Sequence, residues 1–165
     1  RSARCSASRK GSSVNEYRVA GRTAASDATA DHGVGVLWNA SSVRQLWIVE
    51  FAVFNTTAAT AQLELVRISA RGTAGSTVTP DIDSDVEHSI APVSGALLDL
   101  SNYSAEPTVA SPPLGRYFTA ATIGAGKIWS FRAQPIAVRG GAGFGLVNAD
   151  AVATPAVDVE VCWQE

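Results

Sequence analysis

The densest group of side chains able to do chemistry is Asp81-Ile-Asp-Ser-Asp-Val-Glu-His88. Asp81, Asp83, Asp85 and Glu87 fall at alternate positions. In an extended segment, alternate residues point the same way. Hard cations such as calcium take several oxygen ligands, so this spacing raises a calcium question. The run begins like an EF-hand loop. However, Val86 stands where that loop needs Gly, and Pro92 stands where it needs a bidentate Glu. The expected reading is an acidic loop, solvated or paired with Arg across an interface, and no metal is assigned. An irregular calcium site built from Asp81, Asp83, Asp85 and Glu87 is the alternative.

His32 and His88 are the only two histidines. A histidine among acids can serve acid–base chemistry, but no Gly-x-Ser-x-Gly nucleophile signature accompanies either. Zinc needs a Cys/His cluster, and the sequence offers none. The Gly-rich turns lack the Gly-Lys-Ser/Thr ending of a phosphate loop and read as hairpin chemistry. Asn39-Ala-Ser41, Asn55-Thr-Thr57 and Asn102-Tyr-Ser104 match the glycosylation pattern, as happens readily by chance in a Ser/Thr-rich chain. The expectation is a protein without catalytic residues and without a cofactor.

Charge narrows the partners. Residues 1–13 hold Arg1, Arg4, Arg9 and Lys10 and no acid, while the remaining residues carry 9 basic and 15 acidic side chains. A basic, Ser- and Gly-rich arm therefore precedes an acidic body. Phosphate binding needs clustered Lys and Arg, so nucleic acid is not an expected partner of that body. No apolar run approaches the ~18 residues of a membrane span, and a membrane is not expected either. Cys5 and Cys162 lie near opposite ends. Chain ends are often close in space, so a bridge between them is one arrangement. Two unpaired thiols is the simpler one. The chain begins at Arg1 and contains no Met, which leaves a leader or a longer N-terminal part open.

The elements that would position these groups are strands. Hydrophobic residues make up 46% of 165 and charged residues only 17%, which suits one packed domain over residues 14–165 behind a flexible arm over residues 1–13. Arg44–Asn55 is the longest apolar run and is rich in β-branched and aromatic residues. Trp47, Val49, Phe51 and Val53 share one alternating face, and Leu46, Ile48, Ala52 and Phe54 share the other with Glu50. A strand apolar on both sides should be covered on both. One cover would be a second sheet, and the other a loop or another subunit, with Trp47 or Phe54 beneath it.

Ala61–Ala70 should follow as the second arm of a hairpin. Its apolar parity changes from Leu63 and Leu65 to Val66 and Ile68, which predicts a β-bulge. In His32–Asn39, Val34, Val36 and Trp38 share a face, and Gly33 and Gly35 leave room for a close neighbour. Shorter strands are expected over Val14–Ala20, Arg116–Ile123, Ile128–Phe131, Ile136–Val138 and Phe144–Asn148, and Ala96–Leu100 reads as a brief apolar segment. At the end, Val157, Val159, Val161 and Trp163 alternate with Asp158, Glu160, Cys162 and Gln164. Eight or nine strands and no long helix predict an all-β antiparallel sandwich, jelly-roll-like. Trp38, Trp47, Trp129 and Trp163 could in principle form a sugar-stacking platform on it. Trp47 and Trp163, on apolar strand faces, read instead as core.

Arg71-Gly-Thr-Ala-Gly-Ser-Thr-Val-Thr-Pro-Asp81 and Ala91-Pro-Val-Ser-Gly-Ala-Leu-Leu-Asp-Leu100, with the Leu46–Asn55 strand, Gly124-Ala-Gly-Lys-Ile-Trp129 and Val157–Glu165, resemble small structural proteins of tailed bacteriophages. The resemblance covers most of residues 30–165 and excludes the first 13. It implies a virion component on the exterior of the head: a decoration, or cement, protein that stabilises the capsid as a homotrimer, with the major capsid protein as partner. On that reading Arg4, Arg9 and Lys10 contact an acidic capsid surface, and Trp47 and Phe54 are candidates for the oligomer interface. A tail, fibre or spike component that binds carbohydrate or a receptor is the alternative. The resemblance brings no catalytic signature.

Overall fold

The structure, a computed structural model, describes residues 15–25, 31–80, 95–110, 112–149 and 153–165. Among them every regular element is a strand, and every pairing between strands is antiparallel. The first sheet runs β1 (Glu16–Arg22), β12 (Val157–Gln164), β3 (Leu46–Asn55). Its outer edge is shared by β10 (Ile136–Val138) and β9 (Gly126–Ser130), which pair with successive parts of β3. The second sheet runs β5 (Ser76–Val78), β6 (Leu97–Leu100), β2 (Gly33–Asn39), β11 (Ala142–Asn148), β4 (Gln62–Ala70). Its far edge is shared by β7 (Thr108–Val109) and β8 (Gly115–Phe118).

With the split edges counted once, the sheets read β1-β12-β3-β9/β10 and β2-β11-β4-β7/β8, and the β5–β6 pair is added beyond β2. This is the two-sheet arrangement of a jelly roll. Among the described residues twelve strands replace the expected eight or nine, because β5 and β7 are too short to carry a hydrophobic period and because the brief apolar segment Ala96–Leu100 supplies β6. Residues 119–123, expected to continue the Arg116 strand, belong instead to a turn closed by Thr122 N–H to Ala120 O and Gly124 N–H to Asn55 O.

One core lies between the sheets. The first sheet supplies Tyr17, Val19, Leu46, Ile48, Phe51, Val53, Val157, Val159, Val161 and Trp163. The second supplies Val34, Leu37, Leu63, Leu65, Leu98, Leu100, Phe144 and Leu146. Phe51 meets Phe144 edge-on across the gap at 5.9 Å between ring centres, and Trp163 stacks on Tyr17. β12 carries this core on an unbroken alternation, as its sequence predicts.

β3 reaches the same end differently. Cys162 pairs with Glu50 and the next residue, Trp163, pairs with Ile48, so Val49 is an extra residue in β3. This bulge corrects the expectation of two continuous apolar faces. Leu46 and Ile48 on one side of Val49, and Phe51 and Val53 on the other, all point into the one core. Trp47, Glu50, Ala52 and Phe54 share the outward face. The edge strand breaks at the same level. β9 ends at Ser130 and β10 begins at Ile136, and Phe131 donates its N–H to Val49 O.

β4 does the reverse. Its register against β11 is unbroken from Leu63 to Ile68, so the expected bulge at the parity change is absent. The only irregularity in β4 lies between Ile68 and Ala70, opposite β7. Val66 and Ile68 point away from the main core and join Val36 and Val147 in a second buried cluster, on the outer side of the second sheet. β2 also carries a bulge. Leu146 pairs with Gly35 and Val147 with Gly33, which leaves Val34 as the extra residue and turns it into the core, away from Val36 and Trp38. Gly33 and Gly35 do make room for neighbours. The Tyr103 ring lies against Gly33, and Val159 lies against Gly35 from the opposite sheet.

The expected β3–β4 hairpin is not formed either, because the two strands lie in different sheets. The connection is an arch held by a buried asparagine. The Asn55 amide nitrogen lies 2.6 Å from Ala59 O, 2.8 Å from Thr119 Oγ1 and 2.9 Å from Ala120 O. Thr119 Oγ1 in turn accepts the Ala61 N–H. At the other end of β3, Asn39 donates to Arg44 O and Val138 O and accepts the Ser41 N–H. Asn39 and Asn55 are both fully buried, so neither is an exposed glycosylation acceptor.

Phe51 is fully enclosed between the two sheets. Phe51→Ala should therefore cost about 3–5 kcal/mol of unfolding free energy, from the lost transfer and the cavity left behind. Urea titration followed by tryptophan fluorescence measures this. An unchanged midpoint would contradict the packing described.

Candidate interaction surface

Three surfaces carry the side chains with binding or chemical potential. The first is the outer face of the first sheet. There Arg22 grips Asp158 through two hydrogen bonds of 2.7 and 2.9 Å, and Arg18 lies 2.8 Å from Glu160. Arg132 reaches Glu16 at 3.3 Å and Glu50 at 3.9 Å. The bond from Arg22 holds the Asp158 carboxyl below its ordinary range. Arg22 and Asp158 are both largely exposed, and such pairs contribute little to stability. Cys162 is a free thiol buried under this layer, and Arg18 Nε approaches its sulfur at 3.3 Å. Burial pushes the thiol up in spite of Arg18.

Trp47 and Phe54 lie on this same face, near opposite ends of β3. Without the bulge at Val49 their odd and even positions would place them on opposite faces. Trp47 is 42% exposed, which corrects its assignment to the core. Phe54 is half-buried with its ring over Gly126. The four tryptophans do not gather into one platform. Trp163 is in the core, and Trp129 packs against the core with Tyr117 edge-on to it. Trp38 lies over Gly143 on the outside of the second sheet.

The second surface is a polar cluster on the outer side of the second sheet, where the chain on either side of Thr73 and Ala105 pairs through a short bridge. Asp99 in β6 is fully buried. Its carboxylate receives Arg71 Nε and Nη2, each at 2.7 Å, and the Thr77 hydroxyl at 2.8 Å. Glu106 holds β2 from the other direction. One of its oxygens accepts the Gly33 N–H at 2.9 Å, and the other lies 2.6 Å from His32 Nδ1. The Tyr103 ring lies against Gly33 and edge-on to His32, and its buried hydroxyl has no hydrogen-bond partner among the described residues. Burial, reinforced by Asp99 and Glu106, drives the Tyr103 phenol far above its ordinary range. His32 was legible as a lone histidine. Arg71, Asp99, Tyr103 and Glu106 were not, because they converge from three separate stretches with no motif between them. Each carboxylate here is satisfied by a guanidinium, an imidazole or a backbone N–H, and that arrangement clamps the 71–75 and 101–107 segments onto the sheet.

The third surface is an edge. Leu114 (52% exposed), Phe118 (58%), Ile123 (69%) and Ile128 (52%) lie on β8, on β9 and in the loops beside and between them. The two edge strands are joined side to side by Tyr117, whose hydroxyl donates to Gly126 O. Arg67 of β4 donates to Ala137 O of β10 at 2.7 Å further along. The edge is thus tied together from within, and its exposed side chains are these apolar residues with Arg116 and Lys127.

Among the described residues no group of three or more His, Cys, Asp or Glu side chains stands close enough to hold a metal ion, and no helix is long and apolar enough to cross a membrane. Arg4, Arg9 and Lys10, Cys5, and the acidic run Asp81, Asp83, Asp85, Glu87 with His88 lie outside the described residues.

Two outcomes test the polar cluster. Arg71→Ala strands the Asp99 carboxylate and should cost about 3 kcal/mol, at the low end for a broken buried pair because Arg71 is partly open to water. Tyr103→Phe removes a hydroxyl without a partner and should leave stability at pH 7 unchanged or slightly higher. The folded state favours the neutral phenol, so this contribution is intact below the unfolded value of about 10 and is lost as pH rises beyond it. The melting temperature should therefore fall less steeply above pH 10 in Tyr103→Phe than in the parent. Parallel alkaline profiles would show that the phenol is not buried in this way.

Comparison of the chain with known protein families, with curated proteins and with solved structures finds no match.

Proposed function

We propose that this chain is a non-enzymatic structural protein of a tailed-bacteriophage virion. The specific role is a decoration protein that binds the outer surface of the head as a homotrimer and stabilises the capsid. The observation that carries the reading is the division of labour among its side chains. The buried charged groups Asp99 and Glu64 and the buried Asn39 and Asn55 are engaged in holding strands and loops together, while large apolar side chains stand outward along one edge. Exposed apolar side chains gathered on one part of a surface mark association sites. The jelly-roll architecture is used by capsid and lectin domains alike, so fold supplies analogy only. The resemblance of Arg71–Asp81, Ala91–Leu100 and Val157–Glu165 to phage structural proteins supplies the virion.

In this reading the arm bearing Arg4, Arg9 and Lys10 tethers the domain to an acidic capsid surface. A segment that orders on binding covers much surface for its length, and several arms on one oligomer raise avidity. A tail or spike component is the second reading. The half-exposed Trp47 favours it, since an outward indole can stack on a sugar ring.

Counting copies of this chain per purified particle, by mass spectrometry against the major capsid protein, separates the readings. Hundreds of copies mean a head-covering protein. A handful mean a tail or vertex, and none sinks the virion reading. For the arm, deleting residues 1–13 should weaken binding to intact heads while leaving the melting temperature unchanged. Equal binding by the truncated protein would remove the arm from the mechanism.

A further inference from the structure

Two irregularities of the first sheet meet on its outer face. The bulge at Val49 turns Trp47 outward, where an unbroken alternation would send it into the core with Phe51 and Val53. Bulges are over-represented beside active sites, where they re-aim a side chain. The break between β9 and β10 lies at the same level and carries Arg132. Arg132 Nη2 lies 3.3 Å from Glu16 and its Nε 3.9 Å from Glu50.

Strand register gives Trp47 its neighbours. Glu16 pairs with Gln164, Gln164 with Trp47, and Trp47 with Ala137, so the four form one row across β1, β12, β3 and β10. The next row is Arg18, Cys162, Glu50 and Ser130. Side chains directly opposite within a row stand about 5 Å apart at Cβ. Because Glu16 is on β1 and Glu50 on β3, the Arg132 guanidinium that reaches both lies over β12, next to the Trp47 row. Gln164 Nε2 donates to Glu16 Oε2 at 3.4 Å, and Arg132 Nη2 donates to Glu16 Oε1. Glu16 thereby orients an amide and a guanidinium on one side of the indole. On the other side Ala137 sets only a methyl group against the ring. Trp47 is 42% exposed and is the only large apolar side chain in these two rows. The others on this face, Ile128 beside Ala52 and Phe54 at the far end of β3, lie on the order of 13 and 20 Å further along the strand.

We propose that this row is a binding site for a neutral pyranose residue of a glycan. The sugar stacks its C–H face on Trp47, and Gln164, Glu16 and Arg132 bond its hydroxyls. The inference rests on the second reading above, in which the outward indole meets a sugar, and it supplies the rest of that site. Size and charge select the occupant. One ring bordered by polar groups offers an apolar patch about as large as a single sugar ring. A protein partner needs a wider apolar centre, within an interface of roughly 800 Å² per side. A pyranose has an apolar face and a rim of hydroxyls that each donate and accept, which an amide, a carboxylate and a guanidinium can answer together. The charged groups tied to the two rows, Glu16, Glu50, Arg18 and Arg132, balance, and each has a partner within the chain. No surplus charge there calls for an ionised sugar.

The full chain would be titrated with neutral gluco-, galacto- and manno-configured oligosaccharides and with sialylated and uronic-acid oligosaccharides. Saturation-transfer difference NMR detects weak binding and reports which sugar protons touch the protein. The parent should bind at least one neutral oligosaccharide saturably, with transfer concentrated on one ring face. Trp47→Ala should raise the dissociation constant about tenfold or more, and Trp47→Phe, which keeps a flat ring, should raise it less. Gln164→Ala should raise it about fivefold, the size of one neutral hydrogen bond. Ile128→Ala, on the same face but away from the row, should leave it unchanged. Circular dichroism and thermal melting of each variant confirm that it is folded. A parent that binds no neutral sugar overturns the proposal, as does binding confined to the acidic sugars or binding unchanged in folded Trp47→Ala. The copy count per particle decides location separately. A chain that covers heads and binds the sugar keeps this site and loses the tail reading, whereas a chain at the tail that binds no sugar keeps its location and loses the site.

Discussion

A chain that weaves between two sheets must take its backbone through the margin of the core several times, and each crossing leaves N–H and C=O groups without ladder partners. An unpaired buried backbone group costs as much as a lost hydrogen bond. In this protein two asparagines meet that constraint around β3. Asn39 satisfies the corner where the chain leaves the second sheet, and Asn55 the arch where it returns. An asparagine suits both sites because its short amide puts a two-proton donor among several carbonyls, and at Asn39 the amide oxygen also accepts the Ser41 N–H. With both ends of β3 held, its neighbours β12, β9 and β10 have a fixed template, and the first sheet can close over the second.

β3 and β4 show what could and could not be read from the residues. Both contain apolar residues at odd and even positions. In β3 the mixture hides a bulge at Val49, so that Leu46, Ile48, Phe51 and Val53 all face one core while Trp47 and Phe54 face outward. In β4 the mixture is real, and Val66 and Ile68 form a cluster on the far side. Periodicity alone cannot separate these cases, because a one-residue slip and a two-sided strand print the same pattern. The partner strand separates them, and pairing between distant segments is not written in local spacing. β12 was legible because its alternation is unbroken and its outward positions are polar. β5 and β7 were not, since two or three residues carry no period.

The polar groups follow the same rule. The sequence drew attention to an acidic run by its density, whereas the described structure uses scattered single residues. Asp99, Glu106 and Arg71 each look ordinary in their own segments. They become a clamp only after the strands bring them together, and their satisfied geometry marks them as parts of the frame. The surface that remains for recognition is set by what the frame does not use: an apolar edge with exposed cations and a face bearing an outward indole.

The pairing of β1 with β12 places Glu16 opposite Gln164, so the first and last strands run side by side and both ends of the fold emerge at one corner. The strand order is thus nearly a closed circle, cut between Gln164 and Glu16. A short linker across that corner could join the ends, and the circle could be reopened at an exposed turn such as the one at Ser41–Val43. The same core contacts would then be made by a chain that enters and leaves beside the start of β3, at the same end of the sandwich, since Trp47 pairs with Gln164 and Gln164 with Glu16. For anyone wishing to display a passenger on this scaffold, the corner determines that fusions made at Asn15 and at Glu165 would sit next to each other, since Glu165 donates its N–H to Asn15 O.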